Sequence, residues 1–126
     1  MRTLYRTTIT EVGPDVADLV AGGVLILFAE GAPPELAEVS VLHLVEEGPT
    51  PEGPTVGAEI RIGLLTAKLT AIGELAWKKV AELGHVVINF NGSTSVERPG
   101  ELCASPVAGD ALAAALLPGA EIVIAA

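Results

Sequence analysis

Two stretches of this chain resemble each other at a spacing of about sixty residues, and this internal repeat constrains the fold more than any other feature. The tetrapeptide Gly-Ala-Glu-Ile occurs at residues 57–60 and again at 119–122, 62 positions later. Two further matches keep a similar spacing, residues 25–28 with 87–90 and residues 10–13 with 70–73. Ordered matches of this kind predict a duplicated half, with a division at about 1–62 and 63–126.

Most of each half has the pattern of β-strands, because apolar residues alternate with polar ones or run together over short lengths. The predicted strands are 3–12, 24–28, 39–45, 59–62, 67–72, 85–90 and 121–125. Short helices are predicted after Pro14, over 74–83 before Gly84, and over 109–117. Two sheet-forming halves leave no free edge if they close on each other. The sequence therefore predicts a mainly β fold, a small barrel-like domain from two similar halves with short flanking helices.

Composition limits the domain count and the class of partner. With 126 residues and 50% hydrophobic content, the chain 1–126 is long enough for one domain. The formal net charge of -9 argues against nucleic acid, which basic side chains bind. Cys103 is the only cysteine, so no internal disulfide can form. No apolar run reaches the roughly 18 residues of a membrane span, and we expect a cytoplasmic protein.

His43 is the first candidate for chemistry. It lies in the strand-like run 39–45, directly before an acidic, proline-rich stretch at 46–54. A neutral imidazole nitrogen can attack phosphorus or carry a proton near neutral pH. A lone histidine in a strand can equally be structural, and the residues alone leave both interpretations open. At the repeat spacing of 62 the matching position is Ser105, so only one half carries the imidazole.

A series of short motifs extends over nearly the whole chain. They are residues 5–10 with Gly13, 25–33, Leu42-His43, Gly57 with Ile62-Gly63, 70–73, 83–86, 90–92 and Pro99-Gly100. In this order and spacing the chain resembles the glucitol/sorbitol-specific enzyme IIA component of the bacterial phosphoenolpyruvate-dependent sugar phosphotransferase system. Three departures bear on the partner or the sugar: Asn91 where the family often has Asp, Ala67 where an aromatic residue is often found, and a loop at 46–54 that is unusually rich in proline.

The resemblance implies a function as well as a fold. It implies a small, mostly β barrel in which His43 accepts a phosphoryl group from the carrier protein HPr. The phosphoryl group then passes to the IIB part of the transporter, so the implied partners are phospho-HPr and the IIB/IIC components. Contact with the membrane would come only through that transporter.

His85 is the second candidate. It follows Gly84 at the start of a predicted strand, where it could lie beside His43 across the pseudo-twofold axis. There it would bind the phosphate or fix the tautomer of His43. The alternatives are a histidine bonded to a nearby carbonyl and a second phosphorylation site. No Cys or carboxylate cluster of zinc-type spacing accompanies the two histidines, so we expect neither metal nor cofactor.

Three functions remain open at this point. The first is a phosphocarrier, and the second is a non-catalytic regulatory or binding module on the same fold. The third is a small enzyme that uses His43 and His85 as acid and base on a sugar-like ligand. A carrier needs its ring exposed on a shallow surface where another protein can dock, whereas the enzyme needs a deep pocket that contains both rings. We expect an exposed His43.

Overall fold

Eight strands form one closed barrel in the computed structural model, which describes residues 1–126. The strands are β1 (Thr3–Val12), β2 (Val24–Ala29), β3 (Val41–Glu47), β4 (Glu59–Ile62), β5 (Leu65–Ile72), β6 (Val86–Asn89), β7 (Glu101–Ala104) and β8 (Glu121–Ala125). Four short helices accompany them, α1 (Val16–Ala21), α2 (Pro34–Ala37), α3 (Ala76–Leu83) and α4 (Gly109–Ala115). The predicted mainly β, barrel-like fold with short helices is confirmed.

The order of the strands around the barrel has an internal symmetry. It runs β1-β3-β2-β6-β7-β5-β4-β8 and closes through the pairing of β8 with β1. If β1, β2, β3 and β4 are exchanged with β5, β6, β7 and β8, respectively, the order of the strands around the barrel is unchanged. The pairing types follow the exchange, because β2 pairs in parallel with β3 as β6 does with β7, whereas the other neighbours are antiparallel.

The strand register corrects the sequence matching in one respect. The pairing of β1 with β3 shifts between Ile9 and Glu11, and that of β5 with β7 shifts at the equivalent place between Leu69 and Ala71, so that Leu42 corresponds to Cys103. Leu42 pairs with Phe28, and Cys103 pairs with Asn89. The equivalent residues of these strands are therefore 61 positions apart, one fewer than the sequence matches indicate. Phe28 thus corresponds to Asn89.

The same correction applies to the position that matches His43. In β3 and β1, His43 pairs with Ile9, and in β7 and β5, Ala104 pairs with Leu69. The assignment of Ser105 as the counterpart of His43 is wrong, because the sequence matches that set the spacing come from other strands. Its counterpart is Ala104, which has no polar side chain.

Equivalent glycines end the first strand of each half. Gly13 follows β1 and Gly73 follows β5, and neither has room for a side chain. A Cβ atom on Gly13 would collide with the Ala37 carbonyl, and one on Gly73 would collide with the Pro99 carbonyl. Each glycine therefore lets a loop backbone cross close to the barrel, and the recurrence of Gly at this position has a steric cause.

The core is aliphatic, and α3 ends as its sequence predicts. Leu, Ile, Val and Ala side chains make up most of the buried cluster inside the barrel. Gly84 adopts the left-handed conformation with φ of 60° and caps α3 through bonds to the carbonyls of Lys79 and Val80. This cap fixes where the chain enters β6. None of the helices is long and apolar enough to cross a membrane.

Candidate functional site

His43 lies inside the barrel wall and not on the surface. His43 is 0% exposed. It lies on β3, where it pairs with Ile9 of β1 on one side and with Ala29 of β2 on the other. The expectation of an exposed ring is therefore wrong. The alternation of β3 brings Val41 and His43 to the same face, and that face points into the barrel.

Both ring nitrogens of His43 are hydrogen-bonded. Nε2 lies 2.8 Å from the Gly84 carbonyl oxygen, and Nδ1 lies 2.6 Å from the Thr7 hydroxyl oxygen. A carbonyl can only accept, so the neutral ring carries its hydrogen on Nε2 and presents a lone pair on Nδ1 to the Thr7 hydroxyl, which also lies 2.7 Å from the Leu44 carbonyl. Burial lowers the pKa of His43, and the bond to Gly84 opposes this shift only in part. The ring is therefore neutral in the folded protein at neutral pH.

Two aromatic rings extend this cluster. Tyr5 meets His43 edge to face with ring centroids 6.2 Å apart, and Trp77 meets Tyr5 in the same way at 6.1 Å. The Trp77 ring NH donates to the Thr50 carbonyl at 2.6 Å, which ties α3 to the loop after β3. The Tyr5 hydroxyl is buried without a partner, and burial raises the pKa of Tyr5 to about 12.

A cleft of about 460 Å³ lies beside Gly84. Its walls combine apolar side chains with the acidic Glu30 and Glu82, and the complete lining is Phe28, Ala29, Glu30, Val45, Gly48, Pro49 and residues 80–84. Gly84 separates this cleft from the imidazole, because a Cβ atom built on Gly84 would lie 3.2 Å from Cε1 of His43. Nε2 is consequently the ring nitrogen on the cleft side, whereas Nδ1 faces β1.

The Gly84 carbonyl differs from its counterpart in the other half. Gly23 occupies the equivalent position 61 residues earlier, and its carbonyl accepts the Phe90 backbone NH at 2.8 Å. The Gly84 carbonyl accepts its bond from the side chain of His43 instead of from the backbone. The Gly84 carbonyl is therefore held by a side chain, whereas its counterpart is held by the backbone.

His85 does not hydrogen-bond to the His43 ring. Its Nδ1 donates to the Leu27 carbonyl at 3.0 Å, and its ring stacks on Phe28 with centroids 4.9 Å apart. The partners that set the tautomer of His43 are Thr7 and Gly84. His85 instead lines a second cleft of about 310 Å³ with Lys79, Arg98, Pro99, Gly100 and the neighbouring Val87 and Glu101.

Sequence reasoning missed Thr7 as a site residue. Its hydroxyl is fully buried and lies within hydrogen-bond distance of both His43 Nδ1 and the Leu44 carbonyl. The one available signal was its position in β1, where Tyr5, Thr7 and Ile9 alternate with partly exposed residues. A threonine between two large apolar side chains on an inward face is a candidate for a buried polar contact.

The other half of the barrel lacks both polar side chains. The counterpart of Thr7 is Ala67, since Thr7 pairs with Ile122 of β8 as Ala67 pairs with Ile60 of β4. The counterpart of His43 is Ala104. The barrel thus carries the Thr7 and His43 pair once, and no three His, Cys, Asp or Glu side chains come together in a way that would hold a metal ion.

Comparisons with known proteins agree with this fold. The barrel is similar to that in "The Crystal Structure of PTS System IIA Component from Enterococcus faecalis V583", PTS being the phosphotransferase system, with a TM-score of 0.71. That similarity covers 96% of this chain and 99% of the solved one at 20% sequence identity, so it concerns the fold. It shows that the two chains share the same barrel fold.

The particular family follows from sequence. The family described as PTS system glucitol/sorbitol-specific IIA component matches residues 4–117. The PTS system glucitol/sorbitol-specific EIIA components of Shigella flexneri and Escherichia coli (strain K12) are each 36% identical over 111 residues, covering 87% of this chain and 89% of theirs. The chain belongs to the glucitol/sorbitol-specific IIA component family of the phosphotransferase system.

Proposed function

We propose that this protein is a cytoplasmic phosphocarrier subunit that takes a phosphoryl group from phospho-HPr onto His43. It then passes the group to a IIB component of the transporter for uptake and phosphorylation of sorbitol (glucitol). The observation that carries this proposal is a neutral imidazole separated from an open cleft by a single carbonyl, that of Gly84. A neutral imidazole is nucleophilic, and its phosphorylated form passes the group on readily.

Nε2 of His43 is the nitrogen that we assign as the phosphoryl acceptor. It is on the side of the cleft, whereas Nδ1 is enclosed by Thr7 of β1. In the conformation described, the Gly84 carbonyl blocks Nε2, so this is the closed state of the carrier. Phosphoryl transfer requires displacement of the segment around Gly84.

Three features of the segment support such a displacement. The Gly84 carbonyl is held by the His43 side chain alone, so one broken hydrogen bond releases it. Gly84 is a left-handed cap at the end of the eight-residue helix α3, a position where a small change in backbone angles redirects the chain. The cleft of about 460 Å³ on its outer side leaves space for movement.

The surface around this cleft suits a protein partner. Leu83 is 49% exposed and Val45 is 37% exposed, and both line the cleft. Glu30 and Glu82 flank the apolar side chains. An apolar centre with an acidic margin is expected to dock a partner that presents apolar side chains surrounded by basic groups.

His85 is a competing acceptor, and a specific observation favours it. Its Nδ1 is fixed by the Leu27 carbonyl, so Nε2 of the neutral ring carries a free lone pair without any movement of the chain. Lys79 lines the same cleft and forms no ion pair, whereas Arg98 is paired with Glu101 at 3.3 Å. Because the two histidines do not share one pocket, an acid and base pair acting on a single small ligand is disfavoured.

One experiment separates these possibilities. The wild type, His43→Asn and His85→Asn are incubated with phosphorylated HPr, and the labelled residue is located by mass spectrometry under alkaline conditions. We expect one acid-labile phosphoryl group on His43 in the wild type and in His85→Asn, and none in His43→Asn. Label that persists in His43→Asn and disappears in His85→Asn would transfer the role to His85. A protein that stays unlabelled beside a IIA component that is labelled would leave the non-catalytic binding module as the function.

A further inference from the structure

We propose that Thr7 is a positioning residue that lets the His43 ring exchange tautomers without a change in the position of the barrel strands. This inference rests on the proposed function, because it concerns how the acceptor nitrogen becomes nucleophilic. It adds a residue from β1 to a site otherwise made of His43 and the Gly84 segment.

The geometry of the Thr7 hydroxyl is the basis. Its oxygen lies 2.6 Å from Nδ1 of His43 and 2.7 Å from the carbonyl oxygen of Leu44. The hydroxyl has one hydrogen and can donate it to only one of these two acceptors at full strength. Rotation about the C–O bond of Thr7 switches the donated bond from one to the other, while the heavy atoms stay in place.

In the closed state the hydroxyl of Thr7 donates its hydrogen bond to Nδ1 of His43. Nε2 donates to the Gly84 carbonyl, so the neutral ring has its lone pair on Nδ1, and Thr7 donates to that lone pair. With its hydrogen on Nε2, the ring cannot attack phosphorus at that atom. The closed state is therefore both sterically blocked and in the unreactive tautomer.

Displacement of Gly84 reverses which tautomer of the His43 ring is preferred. Nε2 loses its acceptor, and the side chain of His43 rotates toward the opened cleft, where water adds a proton to Nδ1 and takes the proton from Nε2. The neutral ring then returns to Thr7. Nδ1 then donates to the Thr7 oxygen, and Thr7 donates to the Leu44 carbonyl. Every polar group of the buried side of the ring remains bonded in this second arrangement, so the reactive tautomer leaves no unpaired donor.

Transfer of the phosphoryl group then forms one bond to phosphorus and breaks one. The lone pair on Nε2 forms the new bond to phosphorus, and the phosphorus–nitrogen bond of the donor phosphohistidine breaks. If the donor ring is protonated on its other nitrogen, it leaves as a neutral imidazole, and His43 becomes a phosphorylated cation that keeps its hydrogen on Nδ1. That hydrogen still donates to Thr7, and the cationic ring is a good leaving group for the next transfer.

Removal of the hydroxyl should slow the reaction. In Thr7→Val the side chain keeps its shape, but Nδ1–H of the reactive tautomer has no acceptor. An unpaired buried donor has a free-energy cost that corresponds to about a 5- to 150-fold loss of rate. Thr7→Ser keeps the hydroxyl and should restore most of the rate. Thr10→Val is the matched control, because Thr10 is on the same strand and its side chain makes no hydrogen bond.

The first measurement is the single-turnover rate of His43 phosphorylation by phospho-HPr in the wild type and the three variants. We expect Thr7→Val to be slow, and Thr7→Ser and Thr10→Val to be close to wild type. Folded Thr7→Val with the wild-type rate would overturn the role of Thr7 and leave the proposed function intact. If the wild type accepts no phosphoryl group on His43, the proposed function itself fails.

The second measurement determines the tautomer of His43 without any phosphoryl transfer, and its decisive result comes from the wild type. Nitrogen-15 NMR of the His43 ring at neutral pH should show hydrogen on Nε2 and a hydrogen-bonded lone pair on Nδ1. In Thr7→Val the Nδ1 resonance should move to the position of a free lone pair. A wild-type ring with its hydrogen on Nδ1 in the closed state would overturn the assignment, even if Thr7→Val does not fold.

Discussion

The carbonyl oxygen of Gly84 lies 2.8 Å from Nε2 of His43, so the residue that ends helix α3 also covers the nitrogen proposed as the acceptor. The helix cap and the buried imidazole thereby share one hydrogen bond. The position of Gly84 is fixed on one side by the bonds of the cap to Lys79 and Val80 and on the other by the imidazole. A substitution at Gly84 should therefore alter the surroundings of His43, and a substitution at His43 should alter the cap at Gly84.

Gly84→Ala tests this coupling. A Cβ atom there would lie 2.7 Å from Cβ of Ala29 and 3.2 Å from Cε1 of His43, and the residue has positive φ. We expect a loss of about 3 kcal/mol or more in the free energy of unfolding, from left-handed strain and overpacking together. Chemical denaturation measures the loss.

Gly63→Ala is the control for backbone strain alone. Gly63 has φ of 58°, close to that of Gly84, but its nearest neighbour beyond the adjacent chain is the Ala115 carbonyl at 3.9 Å. This variant should lose only about 1 to 2 kcal/mol. Equal losses in the two variants would mean that Gly84 does not pack closely on the ring.

Tyr5→Phe should stabilise the protein. The Tyr5 hydroxyl is buried with no partner, and its removal abolishes an unsatisfied polar group while the ring keeps its edge contacts with His43 and Trp77. We expect a gain of about 1 kcal/mol, measured by thermal and chemical unfolding. A loss of similar size would show that the hydroxyl has a bound partner in solution.

The free energy of unfolding of the wild type should decrease as the pH is lowered below about 6.5. Burial holds the pKa of His43 below its ordinary value of 6.5, so the unfolded chain takes up a proton at a pH where the folded chain does not. The stabilisation that comes from the shifted pKa of His43 is fully present above pH 6.5. It is lost as the pH falls toward the lower pKa of His43 in the folded protein, by at most about 1.4 kcal/mol per pH unit.

Denaturation between pH 8 and pH 5.5 measures this effect. His43→Asn removes the titrating ring and should show a flatter dependence over the same interval, while other groups stay common to both proteins. Parallel curves for the two proteins would mean that His43 titrates alike in the folded and unfolded chains.

The fluorescence of Trp77 should report the opening. Trp77 is the only tryptophan, it lies in α3, and its ring is fixed by the Thr50 carbonyl and by Tyr5. If Gly84 moves at the other end of α3, the surroundings of the indole should change with the same rate constant as phosphorylation of His43. Stopped-flow mixing with phospho-HPr tests this, and His43→Asn should give no such phase.

Leu83→Glu should weaken docking of the donor. Leu83 is 49% exposed at the cleft beside Gly84, and a carboxylate there would be desolvated by the partner. We expect the second-order rate of phosphorylation to fall by about fivefold or more. Leu64→Glu is the matched control, because Leu64 is 99% exposed and lines a different cleft. Equal losses would place the docking surface elsewhere.

The alternation of apolar residues was enough to predict the strands that have one inward face. The predicted bounds of β1, β4 and β8 agree with the structure. The strand β8 has no alternation either, but its run of Ile and Val is typical of a buried strand, whereas β7, Glu-Leu-Cys-Ala, has no β-branched residue and was missed. The sequence analysis also missed α2, where Pro33 and Pro34 indicate a turn but Pro34 opens a four-residue helix.

The site was predictable only in its central residue. Chemistry and the family motifs single out His43, and Gly84 is recognisable as a helix cap. The enclosure of the ring was not predictable, because it depends on the register of β1 against β3, which shifts between Ile9 and Glu11. The contact of the Gly84 carbonyl with a ring 41 positions away is likewise a property of the closed barrel.

A two-fold scaffold with a single reactive ring has a kinetic consequence. Ala67 and Ala104 leave the second half without a histidine of its own, so under the proposed function the donor and the recipient have to bind at the same cleft in turn. The proposal then requires ping-pong kinetics with mutual competition between the two proteins, and it excludes a complex that holds both at once.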